Sequence, residues 1–329
     1  MNMGEYKEGD EKGIFLLWDK IFGNLLEKND IFKIDRAWWN WRVLENPEGR
    51  PKTYLAFSKS GDVVAHHMIE KFKLCSENGE TTIYQGLLTM ADENNRGLIL
   101  LKLLNNSIKD IVSEGALEYG FPNDEANQVY EKLGWKNVGD VPILGRPLNT
   151  FFKVLDLRHE NKEYEIRRID EFEESINELT NSMKKYFKFF IKRDYKTLNW
   201  KYAENPLKKY EKRIVVRGNK IEGYCVFRCG KFNGVKVGII LDIFSKDRSG
   251  FNALLNETIR YFSRQKMKFV SCYMINSNFF YKTLLKRGFI KLPKFALPKK
   301  NTFHVINYKD EDILNIKNWY LSYGDWDCV

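Results

Sequence analysis

The chain is expected to be an α/β protein made of two similar units, on three observations: its length, the alternation of strand-like and helix-like segments, and an internal repeat. At 329 residues it exceeds one compact core, given about 100–200 residues per domain. The repeat pairs Asn40-Trp41-Arg42-Val43-Leu44-Glu45-Asn46-Pro47 with Asn199-Trp200-Lys201-Tyr202-Ala203-Glu204-Asn205-Pro206.

After each copy the pattern continues in the same order. Thr53–Phe57 and Val63–Ala65 read as a hairpin turning at Gly61, and Arg213–Val216 with Ile221–Phe227 as one turning at Gly218. Next come a long strand (Thr82 to Thr89), a helix from about Gly97 to Val112, a short strand (Ala116 to Phe121) and a helix from Asp124 to Leu133. That helix stops at Lys132-Leu133-Gly134-Trp135, matched by Lys286-Arg287-Gly288-Phe289; a glycine just past an apolar-periodic run is a helix C-terminal signal. The offset drifts only from 159 residues at Asn46/Asn205 to 154 at Gly134/Gly288, so the second unit is a duplicate with small loop changes. The polar stretch Arg158–Glu163 reads as the linker, giving units over 1–157 and 163–329.

Composition is that of an ordered chain, with 43% hydrophobic and 30% charged residues. The N-terminus is charged, and no apolar stretch approaches the roughly 18 residues that span a bilayer, so no membrane partner and a cytoplasmic location are expected. Five dispersed cysteines without a Cys-x-x-Cys pair signal neither a disulfide framework nor zinc, and buried free thiols are expected. No metal is implied. The net charge of +10 divides into −4 over residues 1–158 and +14 over residues 159–329; a basic half suits an anionic ligand, or is simply a solvated lysine-rich surface.

Two segments carry chemistry. Asn94-Asn95-Arg96-Gly97-Leu98-Ile99 lies between a strand and a helix, where unpaired N–H groups at the helix start can hold a phosphate and glycine permits close approach. Asn123-Asp124-Glu125-Ala126-Asn127-Gln128-Val129-Tyr130-Glu131-Lys132-Leu133-Gly134-Trp135 is the second. With the order of elements, these segments resemble the GNAT family of N-acetyltransferases, over roughly residues 15–150 and again over 163–325.

The resemblance implies tandem GNAT-like domains, each a mixed, mostly antiparallel sheet flanked by helices, with acetyl-CoA as cosubstrate. It implies that Asn94, Asn95, Arg96, Gly97 and Leu98 hold the coenzyme's phosphates, although Asn94 and Ile99 depart from the family's loop pattern. It implies backbone N–H groups near Leu87 and Thr89 that polarise the thioester carbonyl, Asn123 and Ala126 beside the pantetheine arm, and a Tyr130 hydroxyl that protonates the departing thiolate. The residue reading of Tyr130 leaves packing on the sheet as the alternative. Glu70, Glu80, His66 and His67 are candidate bases without discriminating spacing, and neighbours such as His66 and His67 on a strand face opposite ways.

The second copy lacks these features. Aligning Gly250 with Gly97 puts Asp247 where the family has Arg or Gln, and aligning Gly288 with Gly134 puts Leu284 at the Tyr130 position, with Tyr281 one turn earlier. This copy is therefore expected to be structural or to bind acceptor. The aromatic end, Asn318 to Val329, is expected to dock, with Asp325, Asp327 or the terminal carboxylate as further candidate bases. Trp38, Trp39, Trp41 and Trp200 could be stacking platforms but fit a core role better.

These features favour an acetyl-CoA-dependent N-acetyltransferase acting on a small amine acceptor, anionic or neutral, derived from a sugar or an amino acid. The family analogy with proteins of polysaccharide loci leans toward a sugar. Alternatives are a Fem-type aminoacyltransferase, for which tRNA would be the partner, and a non-catalytic GNAT-like binding protein.

Overall fold

The computed structural model describes residues 2–23, 33–95, 97–148, 164–293 and 302–326. In the first half, strand β1 (Asn2–Glu5) precedes helix α1 (Glu11–Phe22) and the short α2 (Arg36–Trp39), which runs into a π-turn over Asn40–Leu44. There follow β2 (Lys52–Phe57), β3 (Val63–Ser76), β4 (Gly79–Ala91), α3 (Leu98–Ser113), β5 (Leu117–Gly120), α4 (Asp124–Lys132), β6 (Lys136–Asp140) and β7 (Ile143–Pro147). The second half runs β8 (Glu165–Ile169), α5 (Ile176–Asn181), β9 (Phe189–Ile191), α6 (Tyr195–Tyr202), β10 (Glu211–Arg217), β11 (Lys220–Phe232), β12 (Val235–Ser245), α7 (Arg248–Arg264), β13 (Phe269–Tyr273), α8 (Tyr281–Lys286), β14 (Ile290–Lys291), β15 (Thr302–Ile306) and β16 (Trp319–Tyr320).

These elements build two sheets of the same design. One has the order β1-β2-β3-β4-β5-β15-β6, the other β8-β10-β11-β12-β13-β7-β14. Neighbours are antiparallel except β4 with β5 and β12 with β13, which are parallel and joined by the crossover helices α3 and α7. A short parallel pair, β9 with β16, is attached to the first sheet through β3.

The division at 157/163 does not partition the sheets. Strand β7, from the first half, pairs with β13 and β14 of the second sheet, and β15, from the second half, lies between β5 and β6 of the first. Each half thus completes the other's sheet by a reciprocal exchange of one strand. The repeat hid this, because the exchanged strands occupy equivalent places. The Arg158–Glu163 linker lies outside the described residues.

One buried apolar cluster runs through both sheets, from Ile14, Leu17 and Trp18 on the inward face of α1 to Trp319 and Tyr323 near the chain end. Trp38, Trp39, Trp41 and Trp200 are all buried in it, so they are core and not exposed platforms. Helix α3 buries Leu103, Leu104, Ser107 and Ile111 along one stripe against the opposite face of the first sheet. Cys75, Cys225 and Cys272 are buried free thiols, whereas Cys229 is exposed; Cys328 lies outside the described residues. No helix among the described residues is long and apolar enough to cross a membrane.

Candidate active site

The first sheet opens where β4 and β5 part. Their parallel pairing covers Ile83/Leu117, Tyr84/Glu118 and Gln85/Tyr119 and then ends. Beyond it the β3–β4 register slips: Met68 faces Leu87 and His66 faces Met90, so Leu88 and Thr89 together oppose His67. This is a β-bulge, which takes backbone groups out of the ladder. It falls at the expected Leu87–Thr89 position.

The bulge is held from both sides. Leu88 has φ +49°, a left-handed conformation that a branched residue adopts only when its surroundings impose it. His66 Nδ1 lies 2.8 Å from the Leu88 carbonyl oxygen. Since a carbonyl only accepts, His66 carries its proton on Nδ1 and donates. On the opposite face His67 Nδ1 is 2.8 Å from Thr89 Oγ1. Both rings are fully buried, which pushes their pKa down, to about 4 for His66 and about 3 for His67, so both are neutral near pH 7. Both rings clamp the bulge through Nδ1.

Helix α3 begins at Gly97, whose φ of +90° and ψ of −106° suit glycine, and no side chain caps it among the described residues. The N–H groups of its first turn, from Leu98 onward, are therefore open to an anion. Asn94 and Asn95 do not join them: the Asn94 N–H donates to the Asp92 carboxylate at 2.9 Å and the Asn95 N–H to the Asp92 carbonyl at 2.9 Å. That turn is closed on itself, with Lys20 paired to Asp92. Arg96 lies outside the described residues.

Helix α4 begins at Asn123, whose Oδ1 accepts from the Ala126 N–H at 2.8 Å. Asn123 is thus a helix cap, and Ala126 packs beneath it in the cluster that contains Tyr130. Tyr130 is buried against Trp135, with ring centroids 4.5 Å apart. Its hydroxyl lies 3.7 Å from the point that a Cβ on Gly86 would occupy, one residue before Leu87. The Tyr130 hydroxyl therefore lies beside Gly86, two residues from the bulge, while the backbone N–H groups of Asn94 and Asn95 are already bonded to Asp92.

The other face of the opening is covered by the chain end. Trp319, Tyr320, Leu321 and Tyr323 are buried, and Gln85 Nε2 donates to the Asp325 carbonyl at 3.0 Å. The Asp325 carboxylate is paired with Arg193 at 2.6 Å and accepts from the Ser322 N–H at 2.8 Å, so it anchors the tail. Glu70 is buried, bonded to Arg42 at 2.5 Å and to Asn46 at 3.1 Å. Glu80 pairs with Lys192 at 3.0 Å; eight residues from Leu88 along an extended strand, it is roughly 25 Å away. None of these carboxylates is placed as a free base. Asp327 and the terminal carboxylate lie outside the described residues.

The second sheet repeats the frame: its β12–β13 pairing likewise ends, at Ile240/Cys272, while β12 runs on to Ser245. A register slip between Val226 and Phe227 reproduces the bulge in β12. There, however, Asp247 is the N-cap of α7 and its carboxylate accepts from the Gly250 N–H at 2.8 Å. Cap for cap, Asp247 corresponds to Gly97 itself, three residues from the alignment that pairs Gly250 with Gly97. The site is closed by a built-in anion as well as by charge. At the next helix the alignment holds: Trp135 N–H returns to the Tyr130 carbonyl, and Phe289 N–H to the Leu284 carbonyl, each at 3.1 Å past a glycine with positive φ. Leu284, without a hydroxyl, takes the place of Tyr130.

Two participants were not legible beforehand. Glu118 on β5 and His304 on β15 are fully buried beside Tyr130's strand neighbours, and the signal for Glu118 was a carboxylate inside the short apolar run Leu117–Gly120. His304 reaches this sheet only through the strand exchange.

No protein-family model matches this sequence, and no curated protein matches it. Solved structures do. A GCN5-related N-acetyltransferase from Anabaena variabilis superposes with a TM-score of 0.70 at 10% identity, over 92% of this chain and 72% of that one. The myristoyl-CoA complex of Saccharomyces cerevisiae N-myristoyltransferase gives 0.58 at 14% identity, over 94% and 83%. A glucosamine N-acetyltransferase region of a fungal multi-domain β-N-acetylglucosaminidase gives 0.61 at 12% identity, over 93% and 38%. The fold is thus α/β with two mixed sheets, matching tandem-GNAT structures over most of the chain.

Proposed function

We propose that this chain is an N-acetyltransferase that uses acetyl-CoA, bound by the first sheet, to acylate a primary amine of a small acceptor in a ternary complex. The observation that carries this reading is the juxtaposition of the His-clamped bulge at Leu88–Thr89 with the Tyr130 hydroxyl at the point where β4 and β5 part. The uncapped start of α3 adds a place for the pyrophosphate at Gly97 and Leu98.

The residues fit the cosubstrate. The space over Gly86 is already taken by Glu118, 2.7 Å from where a Cβ would sit, so the fit rests on the bulge, which takes backbone groups out of the ladder before the reaction begins. The coenzyme would supply an activated acyl thioester. The N–H groups at Leu87–Thr89 polarise its carbonyl, and Tyr130 offers a proton to sulfur. Acyl transfer to an amine in this arrangement needs the amine neutral, and the proton it sheds leaves through solvent.

The second sheet, with its cap occupied by Asp247, is free to shape the acceptor's pocket. Phe121, Tyr273, Tyr323 and Trp326 form an aromatic group between the two sheets, with ring centroids between 5.1 and 6.4 Å apart. Tyr273 and Tyr323 are buried, so the apolar face of a sugar would meet the half-buried Phe121 and Trp326, and the similarity to a glucosamine N-acetyltransferase region points the same way. An amino sugar of the kind used in polysaccharide assembly is the acceptor to screen first.

The test is calorimetric titration of acetyl-CoA into the wild type and into Leu98→Glu. Leu98 is 68% exposed, so the carboxylate disturbs no packing and suits the helix start, yet it repels a pyrophosphate there. Micromolar binding that falls at least tenfold in the variant supports the reading; wild type that does not bind acetyl-CoA sinks it.

A further inference from the structure

Glu118 sits in the middle of β5, with Tyr84 of β4 on one side and Ile306 of β15 on the other. It has no exposed surface, and neither carboxyl oxygen has a hydrogen-bond partner. His67 Nε2, 3.9 Å from Oε1, is also without a hydrogen-bond partner. His304, facing Gly120 across β5 and β15, is buried with neither ring nitrogen bonded. Burial pushes the Glu118 carboxyl well above the usual carboxylate range and holds His304 down at about 4, so no cation here would keep Glu118 ionised. Among the described residues no group of His, Cys, Asp or Glu is arranged to hold a metal. A buried acid with unmade hydrogen bonds is destabilising, so packing alone would favour leucine at this position.

The position of the carboxyl supplies a reason for it. A Cβ on Gly86 would lie 2.7 Å from Glu118 Oε1, 3.4 Å from His67 Cε1 and 3.7 Å from the Tyr130 hydroxyl. Side chains from β5, β3 and α4 therefore converge on the space above one glycine, at the inner end of the opening. We propose that Glu118 is a positioning residue for Tyr130: a protonated carboxyl that donates a hydrogen bond to the phenol oxygen when the opening is occupied, leaving the phenol's own proton directed at the sulfur. This inference rests on the reading of the first sheet as the acetyl-CoA site. Donation to the phenol oxygen strengthens the phenol as a donor, and Glu118 keeps its proton throughout, as a neutral acid can in an apolar site.

The titratable groups around Glu118 are Tyr54 from β2, His67 from β3, Tyr84 from β4, Tyr130 from α4 and His304 from β15.

The experiment uses the full chain with Glu118→Gln, which keeps a donor, and Glu118→Leu, which has none, each checked for unchanged secondary structure. In ligand-free protein at neutral pH, the infrared band of a protonated carboxyl is expected in the wild type and absent from Glu118→Gln. With ring-labelled tyrosine, the Tyr130 resonance, assigned through Tyr130→Phe, is expected to shift on adding acetyl-CoA in the wild type and Glu118→Gln but not in Glu118→Leu. Thiol release in an amine panel is expected to fall at least tenfold in Glu118→Leu and by less than threefold in Glu118→Gln, with the same pH profile as wild type. Lack of the acid band, a Glu118→Leu protein that behaves as wild type, or a Glu118→Gln protein as impaired as Glu118→Leu overturns the inference. Calorimetry separates the two ideas: no acetyl-CoA binding to the wild type overturns both, whereas binding with an indifferent Tyr130 resonance overturns this one alone.

Discussion

The indoles of Trp41 and Trp200 stack with centroids 5.1 Å apart, and each Nε1–H donates to the other's backbone carbonyl, at 2.7 and 3.1 Å. The same residue of the two repeats thus meets itself across a local two-fold relation, the arrangement of a symmetric dimer inside one chain. Either Trp→Ala replacement is expected to cost about 3–5 kcal/mol, and the double variant less than the sum because the partners share one contact. Equilibrium unfolding in denaturant, read as a double-mutant cycle, measures this.

The His66 hydrogen bond predicts a separation of binding from turnover. In His66→Ala the Leu88 carbonyl loses its donor and the bulge relaxes, so acetyl-CoA affinity is expected to stay within about threefold while thiol release falls roughly 10²-fold, the scale of a lost oxyanion donor. Calorimetry and a thiol-release assay on the same preparations check it.

Acid should destabilise the fold earlier than usual. His66, His67 and His304 have folded pKa values of about 4, 3 and 4, below the ordinary 6.5, so between those limits the unfolded chain binds more protons. Stability from this source is complete above pH 6.5 and declines as pH falls toward 4. A denaturation midpoint followed over that range should drop, and His67→Gln should flatten part of the slope.

Asp325 anchors the tail. Replacing it with Asn leaves Arg193 buried with Asp242 as its remaining carboxylate and is expected to cost about 3–5 kcal/mol, with premature loosening of Tyr320 and Tyr323. Thermal unfolding and near-ultraviolet circular dichroism check it.

In the second sheet, Asp247→Ala removes a helix cap and a partner of Tyr164, for an expected loss of about 1 kcal/mol, while acetyl-CoA should still bind one per chain. Titration showing two sites in the wild type would contradict the closed second cap.

Much of this frame was legible in the sequence because it is local. The Asn-Trp and Gly-aromatic repeats locate α6 and the ends of α4 and α8, since turn chemistry and helix caps act over a few residues. The bulge itself was not legible, although it lies at the Leu87–Thr89 segment for which the resemblance implied open N–H groups. What escaped depends on pairing over long distances in the chain: β15 between β5 and β6, the His304 it carries, and the use of Asp92 to close the Asn94–Asn95 turn. Glu118 escaped for another reason, since a lone acid in a short strand reads equally as an exposed edge position until its neighbours are known.

The exchange of β7 and β15 also sets an order of events during synthesis. When the first 148 residues have left the ribosome, β5 and β6 have no strand between them, and the gap stays until Thr302–Ile306 emerges. The early half must wait, partly assembled and with an open sheet edge, until that strand is made. A ribosome that stops shortly before residue 302 would release a first sheet whose β5 and β6 remain unjoined, leaving sticky edges as a target for chaperones and proteases.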